Sequence, residues 1–309
     1  MRSLNVQRSV VKQLIVQVLF CLVAAGSAVA GPIIDNDGRV LVMNQHKPFA
    51  RIISLYGAHT RNLIDMGAGS RIVAVGRSDR QLPDLPRLSF RDDPERLLAL
   101  KPDLVLIRPM ISRAYPQLVQ RMEQSGVAVV SLQPAAMDEM FRYWEILGKL
   151  SGHEQGAKQM ISRFGVGLAE IKQQVDQIPP EDRKRVYFES IHKRMKTFSP
   201  TSMAVFVLES AGGINVATDA IQVRKTNIAA YGKERILAKA DHIDVFLAQK
   251  GRMNAVTVEM IKQESGFQVI KAIKNNQVFL VDEKLVSRPT LGLLDGITAV
   301  FELLYPNLN

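Results

Sequence analysis

The chain has 309 residues, 47% of them hydrophobic, which is enough for one large domain or two of ordinary size. Its formal net charge is +10, but the basic residues are scattered, which excludes the dense basic arm typical of nucleic-acid binding. With Cys21 as the single cysteine, a disulfide framework and a thiolate metal site are excluded as well.

The N-terminus has the pattern of a signal peptide over residues 1–30. Three basic residues precede an apolar stretch over residues 14–25, and small residues lead up to Ala30. The apolar stretch is too short to span a bilayer, and Cys21 follows Phe20 where a lipoprotein signal requires a small residue. We therefore expect cleavage after Ala30, no lipid anchor, and a periplasmic protein of net charge +7.

In the first half of the chain, short apolar runs alternate with amphipathic segments. This pattern predicts buried parallel strands connected by helices. The predicted strands cover residues 52–55, 72–76, 104–107 and 127–132. The predicted helices cover residues 60–66, 94–100 and 115–125.

The middle of the chain carries no strand signal. Residues 137–177 have the pattern of helix with a break near Ser151 and Gly152, and two prolines at 179 and 180 end that helix. Strands are predicted again at residues 185–189, 245–248 and 277–281, and a closing helix at residues 291–305. The expected organisation is an N-terminal α/β lobe over 31–136, linker helices over 137–180 and a C-terminal α/β lobe over 181–309.

One short segment occurs twice. Residues 95–99 are Glu-Arg-Leu-Leu-Ala, and residues 234–238 are Glu-Arg-Ile-Leu-Ala. Each copy opens a predicted helix that leads into a predicted strand. The repeat therefore predicts two similar lobes with an acidic residue, Glu95 or Glu234, at a matching place in each. An acid in the first helical turn also complements the helix dipole, so this role remains open for both.

Four regions, in this order, resemble the helical-hinge (class III) periplasmic binding proteins that serve ABC importers of iron chelates, haem and cobalamin. The most specific is residues 97–107, which contains Leu-Lys-Pro-Asp at positions 100–103. The others are residues 51–55 with 63–69 and 71–76, the glycine turn at residues 211–216, and residues 267–282 followed by Ser287, Arg288 and Pro289.

The resemblance implies an α/β fold of two Rossmann-like lobes with parallel sheets, joined by a single long rigid helix, with the ligand cleft between the lobes. It implies a monomer without a resident cofactor that binds a small-molecule metal chelate and delivers it to an inner-membrane ABC permease. It also implies that the exposed glutamates Glu95 and Glu234 dock against arginines of that permease.

The candidate ligand-binding residues follow predicted strands, where the ligands of open α/β sheets bind. Arginine suits carboxylate, phosphate or catecholate oxygens because it presents paired donors in one plane, although each arginine could equally be a surface cation. An aromatic or histidine side chain could stack on a ligand or bind a metal, and His59 could equally help to start the following helix. The candidates are Tyr56, His59, Arg77, Arg108, His192 and Arg288.

The expected cargo is an iron–siderophore type complex. Haem binders of this kind commonly place a tyrosine after the second strand, and residues 77–83 contain none. No histidine pair has the close helical spacing that a zinc site often uses. The alternatives are cobalamin or an oxyanion such as molybdate in the same fold, a receptor-coupled sensor, and a secreted chelatase-like enzyme with Glu189 or His192 as its base.

Overall fold

The computed structural model describes residues 31–41, 47–223 and 226–308. The predicted signal peptide with its cleavage site after Ala30 lies outside the described residues, as do Cys21, His46 and the basic pair Arg224 and Lys225. Within the described ranges, no helix is long and apolar enough to cross a membrane.

The first lobe is built on a five-stranded parallel sheet in the order β5-β4-β3-β6-β7. A small antiparallel pair of strands, β1 (Ile33–Ile34) and β2 (Val40–Leu41), precedes it. The sheet strands are β3 (Ile52–Ser54), β4 (Ile72–Gly76), β5 (Arg87–Leu88), β6 (Leu104–Ile107) and β7 (Ala128–Ser131). The helices are α1 (Gly57–Asp65), α2 (Pro94–Leu98), α3 (Pro109–Ala114) and α4 (Pro116–Gln124).

Strand β6 shows why these apolar runs form buried parallel strands. Leu104 and Leu106 face one hydrophobic cluster, whereas Val105 and Ile107 face another on the opposite side of the sheet. Because both faces are covered, the strand is apolar at every position rather than at alternate ones. The four long strands of this sheet lie within two residues of their predicted bounds.

Two helices connect the lobes, α5 (Asp138–Ser151) and α6 (Glu154–Val175). They are separated by Gly152, whose φ of 72° allows the left-handed turn that ends α5. Helix α6 has 22 residues and is about 33 Å long. Helix α5 packs against α6, with the ring centroids of Trp144 and Phe164 5.8 Å apart.

The second lobe is built on a seven-stranded sheet. Its strands are β8 (Arg185–Ile191), β9 (Lys196–Phe198), β10 (Ile214–Asn215), β11 (Ile221–Gln222), β12 (Ile228–Ala230), β13 (Val245–Lys250) and β14 (Val278–Asp282). They lie in the order β11-β12-β9-β8-β13-β14, with β10 also paired to β8, and β8, β10, β13 and β14 are parallel. The helices are α7 (Met203–Ser210), α8 (Lys233–Ala238), α9 (Val258–Gln263), α10 (Lys271–Lys274), α11 (Glu283–Val286) and α12 (Leu293–Leu304).

One side of the second sheet is antiparallel, which differs from the expectation of two parallel sheets. It consists of β9 (Lys196–Phe198), β11 (Ile221–Gln222) and β12 (Ile228–Ala230). The chain reverses directly after β8 through Met195, which adopts a left-handed φ of 48°. A reversal this tight returns β9 beside β8 in the opposite direction, because a parallel return needs a crossover of a dozen or more residues.

Candidate ligand cleft and the two exposed glutamates

Two predicted residues meet at the carboxyl ends of the first-lobe strands. Tyr56 follows β3, and Arg108 follows the neighbouring strand β6. The guanidinium carbon of Arg108 lies 4.4 Å from the centroid of the Tyr56 ring, a cation–π contact. The Nε of Arg108 is buried and has no hydrogen-bond acceptor among the described residues. The pair therefore presents a guanidinium with unused donor capacity.

Arg288 reaches this pair from the second lobe. Its Nη1 lies 2.9 Å from the position that a Cβ on Gly57 would occupy, directly over the start of α1. Glycine at this position leaves room for the guanidinium. Burial raises the pKa of Tyr56, while the positive charges of Arg108 and Arg288 oppose that shift. Tyr56, Arg108 and Arg288 thus form one group to which both lobes contribute.

Asp79 is a neighbour of this group that the sequence analysis did not identify. Its Oδ1 accepts hydrogen bonds from the backbone and side-chain nitrogens of Gln81 at 3.0 and 3.1 Å. The same Gln81 amide donates to the carbonyl oxygen of Gly57 at 2.8 Å. Oδ2 of Asp79 is buried without a hydrogen-bond partner in the described ranges. The position of Asp79 just after β4 is the signal that could have identified it.

Arg77 also follows β4, but it does not join the group. Its side chain is 71% exposed and forms an ion pair with Asp92 at 3.0 Å. Asp92 lies just before α2 and also pairs with Arg96. The side chain of Arg77 is thus exposed and paired with the segment that precedes α2.

His59 is buried inside the first lobe, which corrects its predicted place in the cleft. Its Nε2 lies 3.0 Å from the carbonyl oxygen of Ile107, which can only accept, so Nε2 carries the proton. Nδ1 then accepts from the hydroxyl of Tyr143 at 2.7 Å. Burial lowers the pKa of His59 to about 3, with a smaller contribution from Arg108. Both ring nitrogens are therefore bonded internally, to Ile107 of the first lobe and to Tyr143 of α5.

His192 is buried at the end of β8 in the second lobe. Its Nδ1 lies 3.0 Å from Oε1 of Glu189, a carboxylate with no exposed surface. The hydrogen bond to Glu189 raises the pKa of His192, and burial raises the pKa of Glu189. Nε2 of His192 lies 3.7 Å from Glu264, which pairs with Lys233. The predicted ligand contact of His192 is thus replaced by an internal network that leads toward α8.

Gln249 connects the end of β13 to the segment that carries Arg288. Its Nε2 donates to the carbonyl oxygen of Ser190 at 3.0 Å, and its Oε1 accepts from the hydroxyl of Ser287 at 2.8 Å. Because Ser287 directly precedes Arg288, these bonds support the backbone from the second-lobe side.

The two repeated glutamates occupy equivalent positions. Each is the second residue of a short helix, Glu95 in α2 and Glu234 in α8, and each is exposed. Oε1 of Glu95 accepts from Nε and Nη2 of Arg121 at 2.9 and 2.6 Å. The carboxylate of Glu234 turns back over Gly232, 3.3 Å from the position of a Cβ there.

The internal repeat extends to the aspartates that follow these helices. Asp103 accepts from the backbone nitrogens of Ala50 and Arg51 at 2.7 and 2.8 Å, just before β3. Asp244 accepts from the backbone nitrogen of Arg185 at 3.0 Å, at the start of β8. Although burial opposes it, hydrogen bonds from Arg185 and Lys271 hold the pKa of Asp244 well below its usual range. In each lobe, the aspartate that follows the helix carrying Glu95 or Glu234 is thus hydrogen-bonded to the backbone at the start of the first strand of the sheet.

No direct metal site is present among the described residues, where no three His, Cys, Asp or Glu side chains are arranged to hold an ion. The candidate ligand contact is therefore the group of Tyr56, Arg108 and Arg288 rather than a set of metal ligands.

A model of the family described as periplasmic binding protein matches residues 52–285. An uncharacterized ABC transporter substrate-binding lipoprotein of Bacillus subtilis is 23% identical over 285 residues, covering 89% of this chain and 86% of that protein. A vitamin B12-binding protein of Vibrio cholerae is 24% identical over 261 residues, covering 82% and 89%. A solved structure of a possible iron-binding, periplasmic solute-binding protein from Staphylococcus epidermidis is 25% identical with a TM-score of 0.73, covering 84% of this chain and 100% of that one. These matches confirm the predicted family resemblance and the α/β fold, and the proteins named are binding proteins rather than enzymes.

Proposed function

This chain belongs to the periplasmic binding protein family, and on that basis we propose that it captures an anionic metal chelate and delivers it to an ABC permease of the inner membrane. The observation that supports this ligand class is the convergence of Tyr56 and Arg108, at two strand ends of the first lobe, with Arg288 from the segment after α11 in the second lobe. Two guanidinium groups beside one phenol favour a ligand that presents several anionic oxygens.

The positive charge of this group favours an intact chelate over a bare ion. Arg108 and Arg288 lie close enough to Tyr56 for their charges to oppose the rise of its pKa, and the same charges would repel a bare ferric cation. A chelate brings its own oxygens to the iron and offers others to the arginines.

An exposed methionine near Arg108 favours a ligand larger than a simple oxyanion. Met110 lies two residues after Arg108 and is 50% exposed. Methionine adapts to irregular apolar surfaces, such as the hydrocarbon periphery of a siderophore or of a corrinoid. Molybdate has no such surface. Cobalamin thus remains the alternative ligand, and an iron–siderophore complex is the one we propose.

The chelatase alternative would require Glu189 or His192 as a base open to substrate. Both side chains are buried against each other in the second lobe, so this arrangement supports binding rather than turnover.

The ligand class is tested by calorimetric titration of the protein with ferric citrate, a ferric tris-catecholate, a ferric hydroxamate, cyanocobalamin and molybdate. We expect at least one of the ferric chelates to bind, and Arg108→Gln and Arg288→Gln to weaken its binding by about tenfold or more each. Arg77→Gln is the matched control, since it removes the same charge from a strand end outside the group. Equal weakening by all three variants would indicate a general charge effect and refute the site, and binding of cobalamin or molybdate alone would refute the chelate.

We further propose that Glu95 and Glu234 contact arginines of the permease. Glu95 is already paired with Arg121, so docking would exchange one exposed guanidinium for another. The net cost of that exchange is small because exposed ion pairs contribute about 0–1 kcal/mol. Glu95→Gln and Glu234→Gln should weaken capture by permease-containing proteoliposomes and leave chelate affinity unchanged, whereas the exposed control Glu302→Gln should change neither. Loss of chelate affinity in either docking variant would contradict the assignment.

A further inference from the structure

One carbonyl oxygen of the second lobe is bound by two side chains from other parts of the chain. The carbonyl of Pro289 accepts from Nδ2 of Asn62 at 2.9 Å and from Nε1 of Trp144 at 3.0 Å. Both donor side chains are fully buried. Asn62 belongs to α1 of the first lobe and Trp144 to the linker helix α5, 227 and 145 residues away along the chain. We call this arrangement the Pro289 clamp.

Simple chemistry determines the orientation of the Asn62 amide. Its oxygen would repel the Pro289 carbonyl, so the nitrogen must face it. That orientation leaves Oδ1 of Asn62 buried without a donor in the described part of the chain. The two donors use both lone pairs of the Pro289 oxygen. The clamp therefore holds the backbone at Pro289 from two directions, at the expense of an unsatisfied atom on Asn62.

The clamped residue directly follows Arg288, whose guanidinium lies against the same first-lobe helix, α1. The Arg288 guanidinium covers Gly57 at the start of α1, and the clamp engages Asn62 farther along that helix. Arg288 belongs to the second lobe by sequence, yet its side chain and the next carbonyl both contact the first lobe. It is thereby held in register with Tyr56 and Arg108.

We propose that Asn62 and Trp144 are positioning residues for ligand binding, which act by holding Arg288 beside Tyr56 and Arg108 before the ligand arrives. This inference rests on the proposed function of the arginine group. A free arginine side chain must be ordered when it binds, and preorganisation removes that cost. The clamp thus makes the three contacts a preformed surface on the first-lobe side of the cleft.

The clamp is tested without ligand by amide hydrogen exchange on the full protein. Asn62→Leu removes one donor and keeps a side chain of similar size. Trp144→Phe removes the other donor but also leaves a cavity beside Phe164, so Asn62→Leu is the cleaner of the two variants. Exchange in the segment 283–292 should become about fivefold faster in each, the equilibrium factor of one net buried hydrogen bond. Tyr305→Phe is the control, because it removes hydrogen bonds that lie within the second lobe: the one its hydroxyl donates to the Gly212 carbonyl (2.8 Å) and the one it accepts from the Lys184 backbone nitrogen (3.2 Å). Unchanged exchange in both clamp variants would overturn the proposal.

The effect on Arg288 is tested by a double-mutant cycle with ferric citrate as the probe. Asn62→Leu should weaken binding about fivefold in the natural background and by less than about twofold when Arg288→Gln is also present. A general structural defect would instead weaken binding equally in both backgrounds and would refute a role through Arg288. If ferric citrate does not bind the natural protein, that result counts against the proposed ligand class, and the exchange measurement still decides the clamp.

Discussion

Replacing Gly57 by alanine is expected to move stability and ligand affinity in opposite directions. The new methyl group would lie 2.9 Å from Nη1 of Arg288 and 3.6 Å from Oδ2 of Asp79. The first distance is shorter than ordinary van der Waals contact, so the guanidinium must move away. The backbone of Gly57 is helical rather than left-handed, and alanine fits it without strain.

The two magnitudes follow from different physics. Alanine at the start of α1 restricts the unfolded chain and favours helix, which should add about 0.5 kcal/mol to the free energy of unfolding. Displacing Arg288 removes the hydrogen bond that its guanidinium would donate to the proposed ligand. A hydrogen bond that involves a charged group typically contributes about 1.5–3 kcal/mol, which corresponds to a roughly 10- to 100-fold loss of affinity. Because the first effect is local and the second lies in the cleft, they separate in experiment.

Melting temperature and calorimetric titration with the ferric chelate measure the two effects in the same sample. The control is Gly165→Ala, in the interior of α6, where a Cβ would meet no atom within 4 Å. The control should raise the melting temperature and leave the affinity unchanged. If Gly57→Ala also leaves affinity unchanged, Arg288 does not contact the ligand in the way proposed.

Three further predictions concern titration and docking. The folded-state pKa of His192 is raised, chiefly by its hydrogen bond to Glu189, so its stabilisation is present below the unfolded histidine pKa of about 6.5 and is lost as pH rises through the folded value. Burial raises the pKa of Glu189, so its contribution has the same sign but starts to be lost above the unfolded glutamate pKa of about 4.3. Melting temperatures should therefore fall as pH rises above about 6.5, and His192→Gln should flatten that slope. The pH dependence due to His59 has the opposite sign, because its pKa is lowered to about 3. Its contribution to the free energy of unfolding is complete above about pH 6.5 and decreases by up to about 4 kcal/mol as pH falls to 3. Urea titrations should show this loss in the natural protein and not in His59→Gln. Finally, Arg121→Gln frees the Glu95 carboxylate and should leave permease capture equal or stronger, and weaker capture would mean that Arg121 itself takes part.

The accuracy of the sequence predictions followed the length and burial of each element. Strand β6 was predicted to the residue, since four consecutive buried apolar side chains leave few other interpretations. The break between α5 and α6 was predicted from Gly152, whose left-handed φ is a local property. The antiparallel strands β9, β11 and β12 were missed because each has only two or three residues and none carries a period of its own.

In the candidate site too, the local sequence pattern did not distinguish residues with different surroundings. Arg77 and Arg108 have the same local pattern, an arginine directly after a buried strand, yet one pairs with Asp92 on the surface and the other faces Tyr56. His59 and Tyr56 are three residues apart, yet His59 is fully buried while Tyr56 is partly exposed beside Arg108. Their distinction depends on Tyr143, which comes from another part of the chain.

The amino-acid sequence alone predicted the longer strands and helices, the order of the two lobes, and the repeated helix that carries Glu95 and Glu234, because hydrophobic periodicity and short motifs are properties of neighbouring residues. The three-dimensional arrangement was needed to show that Arg108 lies over the Tyr56 ring, and that Pro289 is held by Asn62 and Trp144. The exposure and hydrogen-bond partners of a side chain are set by segments that meet it in space from distant parts of the chain, and no local pattern records that meeting.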